Sequence, residues 1–222
     1  PRKVLSLISG AKDKLIDADE YMDGCQSDYY LKKVADIYKL YQRKLKSNNA
    51  LDFDDLIVLT VRLFEECPEV LQYYQNKFKY ILVDEYQDTN HAQYRLVSLL
   101  ANKHKNLCVV GDDDQSIYKF RGADIQNILG FEQEFSNCKV IKLEENYRST
   151  QHILDAANSV IKHNDGRKGK ELWTSNGEGE KISLYIADNE HSEAQSIVEN
   201  ILNLNANLND TVILYRLNAQ SR

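Results

Sequence analysis

Three clusters of polar and aromatic side chains each follow a short apolar run, and their residue types could do chemistry. Asp84-Glu85 comes directly after Tyr80-Ile81-Leu82-Val83. An aspartate there can hold Mg²⁺, often through water, and a neighbouring glutamate can orient or deprotonate an attacking water. The same acids also suit a plain turn before a helix, since Asp88, Thr89 and Asn90 are capping types; two acids alone lean that way. The second cluster, from Gly111 to Gly122, combines three aspartates, Gln115, two aromatic rings, two cations and a closing glycine. The Gln115 amide can reach a phosphate oxygen. Tyr118 and Phe120, interleaved with Lys119 and Arg121, have the composition of a base-stacking surface with cations for a nucleic-acid backbone. For either ring taken alone, a core position between sheet and helix is the safer reading. The third cluster, from Glu144 to Thr150, sets Arg148 beside Tyr147, a phosphate fork beside a stacking ring. Its plainer reading is a helix start capped by Ser149 or Thr150, with Arg148 in a surface ion pair.

Elements must hold these clusters in place. The runs 80–83, 107–110 and 140–143 are short, uninterrupted and apolar, which predicts strands buried on both faces; Cys108, inside the second, reads as a small core residue. Helical periodicity over 92–101, 125–135 and 150–161 alternates with them, and strand–helix–strand resumes at 182–186, 192–202 and 212–215. That order predicts βαβ units and a parallel sheet. Before residue 79 the chain is helical. Val4, Ile8, Ala11 and Leu15 form one stripe and Tyr30, Val34, Ile37, Tyr41 and Leu45 another; a third helix starts after Asp52 as N-cap and a short one at Pro68. Lys32, Lys33, Lys39, Arg43 and Lys44 read mainly as a solvated face, with phosphate tracking as the lesser option. The polar connection 165–180, with Trp173, reads as a surface loop, and Asn200 to Asn209 as a turn region.

Composition narrows the classes. The chain has 222 residues, 28 basic and 34 acidic side chains, and a net charge of −6. This length allows one large domain or two small ones. Its 14 Tyr, 6 Phe and abundant aliphatics exclude disorder, and 9 Gly with 2 Pro exclude linker-like architectures. No stretch approaches the ~20 apolar residues of a membrane span. An acidic chain binds nucleic acid only through local patches. Cys25, Cys67, Cys108 and Cys138 lie far apart without a C-x-x-C pair, so neither a zinc site nor a disulfide framework is expected, and a reducing cytoplasm fits. The chain starts at Pro1 and its single methionine is Met22, which suggests an internal piece of a longer protein.

Read in order, DEYQDTN at 84–90, GDDDQSIYKFRGAD at 111–124 and NYRST at 146–150 resemble motifs II, III and IV of superfamily 1A DNA helicases of the UvrD/PcrA/Rep group. The likeness runs through the whole chain, including LDFDDLI at 51–57 and LYRLNAQSR at 214–222. The resemblance implies ATP and Mg²⁺ as cofactors. It assigns Asp84 to Mg²⁺, Glu85 to activation of the hydrolytic water, and Gln115 to sensing the γ-phosphate and linking it to DNA grip. Tyr118 and Phe120 would stack on single-stranded bases, with Arg121 in the same motif. Tyr147 would stack on adenine, and Arg148 would contact the γ-phosphate from a second motor domain. Some members carry Trp where Phe120 stands; the smaller ring should still stack.

The implied fold class is α/β, with RecA-like (P-loop NTPase-type) parallel sheet pieces and a helical accessory domain at the N-terminus. Residues 1–73 would be part of a 1B-like accessory domain, 74–143 the C-terminal half of RecA-like domain 1A, and 144–222 the start of RecA-like domain 2A. Implied partners are single-stranded and partial-duplex DNA and the rest of its own chain, namely the P-loop half of 1A, further 2A and 2B; no membrane is involved. A phosphate cradle G-x-x-x-x-G-K-S/T is missing from the sequence, and Gly166-Arg167-Lys168-Gly169-Lys170 has the wrong spacing and no leading strand. The resemblance therefore implies an ATP-driven 3′-to-5′ DNA translocase and helicase, in replication or repair, of which this segment would not hydrolyse ATP alone. Sheet edges left open could pair between copies. Two alternatives stay open: a non-catalytic DNA- or protein-binding module with helicase-like motifs, and part of an AddA/RecB-type helicase-nuclease.

Overall fold

The structure, a computed structural model, describes residues 1–25, 28–164, 169–205 and 207–221. Residues 166–168 of the cradle-like Gly166–Lys170 run lie outside them. The chain divides into two compact units, Pro1–Glu144 with Asn158–Leu172, and Glu145–Ala157 with Trp173–Arg222.

The first unit opens with helices. α1 (Arg2–Lys12) follows the predicted stripe through Val4, Ile8 and Ala11, but in α3 (Tyr29–Ser47) Tyr30 and Ile37 are exposed and Tyr38, outside the predicted stripe, turns inward instead. Ile8, Ala11, Val34 and Tyr38 meet as a buried cluster. Between them lies α2 (Ala18–Gly24), which apolar periodicity does not announce. Its signal is the reciprocal capping box of Asp17 and Glu20, each satisfying the other's free backbone N–H group. α4 (Phe53–Glu66) starts at the expected cap, Asp52, again as a box with Asp55. Those two acids are also the partners of Lys12, whose side chain is 1% exposed and whose ammonium donates to Asp52 at 2.6 Å and Asp55 at 2.8 Å. Tyr41 and Gln42 of α3 donate to the same carboxylates at 3.0 and 3.2 Å. One buried ion cluster thus fixes α1, α3 and α4 together, and explains why acids recur in LDFDDLI. α5 (Pro68–Lys77) begins with proline in its first turn, and Phe64 and Tyr74 pack with ring centroids 5.5 Å apart.

Two parallel strands follow, β1 (Ile81–Val83) and β2 (Leu107–Val109), in register Ile81–Leu107, Leu82–Cys108 and Val83–Val109. They are joined through α6 (His91–Ala101), the crossover that a parallel pair requires. Burial on both faces is not what this pair has. Ile81, Val83, Leu107 and Val109 are half-buried, whereas Leu82 is 77% exposed and its partner Cys108 is exposed as well. Cys108 is therefore not a core residue: the pleat puts it on the face that no described element covers. The predicted helix 125–135 is two short pieces, α7 (Gln126–Leu129) and α8 (Phe131–Glu134), parted at Gly130.

The runs 140–143, 182–186 and 212–215 form no strand. Ile141, Leu143, Leu184, Ile186, Val212 and Leu214 are exposed, and a strand exists only where a neighbouring backbone completes its hydrogen bonds. The parallel-sheet prediction therefore reduces, among the described residues, to one strand pair in a mainly helical chain. The second unit contains α10 (Glu190–Asn203), capped by Asn189, and receives the first part of α9 (Gln151–Ile161). Thr150 takes the N-cap position, its carbonyl accepting the Ile153 and Leu154 N–H groups, while the Gln151 and His152 N–H groups donate to the carbonyls of Gly177 and Glu178. No helix among the described residues is long and apolar enough to cross a membrane.

Candidate functional site

The carboxyl ends of β1 and β2 lie side by side, and two of the three motifs emerge there. Asp84 and Glu85 leave β1 exposed. The Glu85 N–H donates to Asp84 Oδ1 at 2.9 Å, which turns the chain sharply, and Glu85 takes a left-handed backbone conformation, φ 49° and ψ 42°. Glutamate rarely occupies that region, so the surrounding structure must hold it there. The next residues do so. Tyr86 is fully buried, its N–H donates to the Val110 carbonyl, and its ring meets Phe131 edge-on at 5.8 Å. The buried Tyr86, tied by its backbone to Val110 just past β2 and by its ring to Phe131, thus keeps the two acids in the open.

Gln87 had no role in the sequence reading, yet it connects the two motifs. Its Nε2 donates to Glu85 Oε2 at 2.7 Å, its Oε1 accepts the Asp112 N–H at 3.0 Å, and its carbonyl accepts from the Ser116 hydroxyl at 3.3 Å. Gly111 is required beside it. A Cβ at 111 would stand 2.6 Å from Gln87 Oε1 and 3.2 Å from the Tyr86 nitrogen. Only the pattern of an amide two residues after an acid could have hinted at this, and that pattern is common.

In the 111–122 loop, Gln115 is exposed and its Nε2 donates to Asp112 Oδ2 at 2.7 Å. Burial raises the Asp112 carboxyl, but hydrogen bonds from Lys170 and Gln115 outweigh it and leave the pKa below the ordinary aspartate value. Lys170 forms an ion pair with Asp112. The carboxylate oxygens of Asp112, Asp113 and Asp114 lie within 4.8 Å of one another, and this lysine supplies a cation to the cluster.

The loop ends in an exposed aromatic pair. Tyr118 is 37% and Phe120 71% exposed, with centroids 5.9 Å apart. The Arg121 guanidinium lies over both rings, at 5.0 and 5.5 Å. Neither ring is a core residue. Two open rings braced by a cation make a stacking platform with positive charge at its side. Gly122 closes the turn at φ +85°, and a Cβ there would collide with the Asp13 carboxylate. Asp13 also accepts from Asn90 Nδ2 at 2.6 Å, and its carbonyl accepts the Ala92 N–H. The end of α1 therefore touches both motif-bearing turns. Burial, then the nearby charge of Asp54, raises the Asp13 carboxyl to about 6, against the opposing hydrogen bond from Asn90.

Tyr147 and Arg148 belong to the second unit. Asn146 Oδ1 accepts the N–H groups of Arg148 and Ser149 at 3.0 and 2.7 Å, and Asn176 Nδ2 donates to the carbonyls of Tyr147 and Ser149. The turn is thus fixed from its polar atoms while its larger side chains stay out. Tyr147 is 77% exposed, and the hydrogen bond from its hydroxyl to Glu145 raises its pKa. Arg148 is exposed too. This is a ring and a guanidinium presented at a helix start, as the sequence suggested.

An exposed aspartate at a strand end, with Oδ1 already turned by a backbone N–H, is a hard-oxygen donor that fits Mg²⁺ with water as its remaining ligands. Glu85 beside it fits a water-directing carboxylate.

The model of the UvrD/REP helicase N-terminal domain matches residues 1–136, and that of the UvrD-like helicase C-terminal domain matches residues 141–222. The chain is 56% identical to the ATP-dependent DNA helicase PcrA of Bacillus subtilis (strain 168) and 57% identical to the protein of the same name in Staphylococcus aureus (strain Mu50 / ATCC 700699). Both alignments cover 100% of this chain but only 30% and 31% of those relatives. A match of this extent establishes that the chain belongs to the UvrD/REP helicase family.

Proposed function

We propose that this chain is part of an ATP-dependent DNA helicase that couples ATP hydrolysis to movement along single-stranded DNA and to duplex unwinding. The observation that carries the reading is the emergence of an acidic pair and an exposed aromatic pair from adjacent carboxyl ends of one parallel strand pair. That is where ligands collect in open α/β sheets. It is supported by the relatives named ATP-dependent DNA helicase PcrA. We assign residues 1–73 to a 1B-like accessory domain, 74–143 to the second half of a RecA-like domain 1A, and 144–222 to the start of domain 2A. The 3′-to-5′ polarity rests on family resemblance.

In this reading Asp84 holds Mg²⁺, which supplies charge neutralisation on the phosphates when bound. Glu85 orients the attacking water and takes its proton. Gln115, now on Asp112, reaches the γ-phosphate when nucleotide is present, and Arg148 offsets the charge that develops on the transferred group. Tyr147 stacks on adenine. Tyr118 and Phe120 hold successive bases, with Arg121 bracing the rings. The segment contains no phosphate cradle of the G-x-x-x-x-G-K-S/T kind and spans 30% of that relative's length, so in this reading it supplies part of an ATPase site.

The test is Glu85→Gln in the full-length protein. Turnover should fall by about 10²–10⁴-fold, the range for loss of a positioned general base, while nucleotide binding measured with a fluorescent ATP analogue persists. Retained DNA-stimulated turnover would remove Glu85 from the chemistry.

A further inference from the structure

The buried amide of Gln87 offers a route from Glu85 to the loop that carries the stacking rings, separate from the link given to Gln115. Gln87 is 1% exposed and uses both ends of its side chain. A carboxylate accepts only and a backbone N–H donates only, so one amide orientation alone satisfies both neighbours. Nε2 must face Glu85 and Oε1 must face the Asp112 N–H. Its own carbonyl takes the Ser116 hydroxyl, a second tie to the same loop.

On this basis, and resting on the assignment of Glu85 and the stacking rings made above, we propose that Gln87 is a positioning residue that couples the hydrolytic carboxylate to the DNA-stacking loop. Glu85 lies in a strained left-handed conformation and is exposed, so little besides its backbone and the 2.7 Å bond from Gln87 restrains its carboxylate. Asp112 is the second residue of the loop that carries Gln115, Tyr118 and Phe120. A shift of that loop when bases stack moves the Asp112 N–H, and Gln87 must follow or lose a bond in a place that water does not reach. Losing it would leave a buried polar group unpaired, which is costly. Rotation of the amide redirects the Glu85 carboxylate. Single-stranded DNA thereby reaches the water-activating group without touching it. Gly111 keeps this channel open, since any side chain there would push against Gln87 Oε1 at 2.6 Å.

The experiment uses the full-length protein, ATP and an oligothymidylate strand. Gln87→Met keeps the volume and removes both bonds, and Gln87→Glu keeps the acceptor towards Asp112 but cannot donate to an ionised Glu85. For each, kcat with and without oligonucleotide, KM for ATP and Kd for the strand are measured beside Glu85→Gln. The DNA-stimulated kcat of both variants should fall by about 10–100-fold, the scale expected when a catalytic group is misplaced. KM and Kd should stay within about twofold, so that stimulation by DNA collapses. A stimulation ratio equal to that of the parent in either variant overturns the proposal, as does a loss of kcat accompanied by an equal loss of strand affinity. If Gln87→Met does not fold, Gln87→Glu gives the same reading. If Glu85→Gln keeps its turnover, the assignment of the site itself has failed; if Glu85→Gln is dead while the Gln87 variants retain full stimulation, only the coupling role has failed.

Discussion

Replacing Asp13 with asparagine should stabilise the fold above neutral pH and leave its stability unchanged near pH 4. The carboxyl is half-buried at the end of α1, with Asn90 on one side, Gly122 on another and the charge of Asp54 nearby. Its pKa is raised from 3.8 to about 6, first by burial and then by Asp54. A raised aspartate means that the folded state holds its proton more tightly than the unfolded chain does. Between about pH 4 and 6 the unfolded chain has released the proton and the folded one has not, so stability falls as pH rises through that window and stays reduced above it. A shift of this size corresponds to ~3 kcal/mol at full strength. Because half the group still meets solvent, we reduce it to ~1–1.5 kcal/mol. Asparagine keeps an acceptor for Asn90 and cannot ionise. The variant should therefore melt about 2–6 °C above the parent near pH 7.5, from the usual scaling for chains of this length, and the two curves should converge near pH 4. Circular-dichroism melts of both proteins across that range make the comparison, and subtracting them cancels every other titrating acid. A difference that does not grow with pH would refute the argument. So would an asparagine variant less stable at pH 7.5, since the charged hydrogen bond to Asn90 would then outweigh the burial.

Lys12→Met should cost ~3–5 kcal/mol in denaturant unfolding, because it leaves Asp52 and Asp55 facing each other without their buried cation; a loss under about 1 kcal/mol would mean that the network is solvated. In the full-length protein, Tyr118→Ala with Phe120→Ala should weaken oligothymidylate binding in fluorescence anisotropy by ~1–3 kcal/mol for each lost base stack. Phe120 is too exposed for its removal to unfold the loop, so unchanged affinity would deny the rings a role in DNA binding.

Much of the local structure was legible from residue types alone. The α1 stripe, the existence of α3, the Asp52 cap, Pro68 at a helix start and the two short strands before Asp84 and Gly111 all follow from periodicity and end signals, which act over a few residues. The buried face of α3 was legible only in part, since Val34 is core but Ile37 is exposed and Tyr38 is buried instead. The motif residues were legible too, since acids, amide, rings and arginine at strand ends are written contiguously. Strand partnership was not. The runs 140–143, 182–186 and 212–215 have strand composition, but no local pattern states whether another backbone is present to pair with, and here they stay exposed. For the same reason Cys108 reads as core in a string of apolar letters and lies on an open face in three dimensions.

The sequence determined which chemical groups this protein brings to its strand ends and in what order. Tertiary structure alone decided how they are joined: Gln87 reaches across 25 residues to Asp112, Asp13 across 77 to Asn90, and Lys12 across 43 to Asp55. Each of these contacts depends on two chain segments folding against each other and excluding water between them, and no single stretch of residues encodes that.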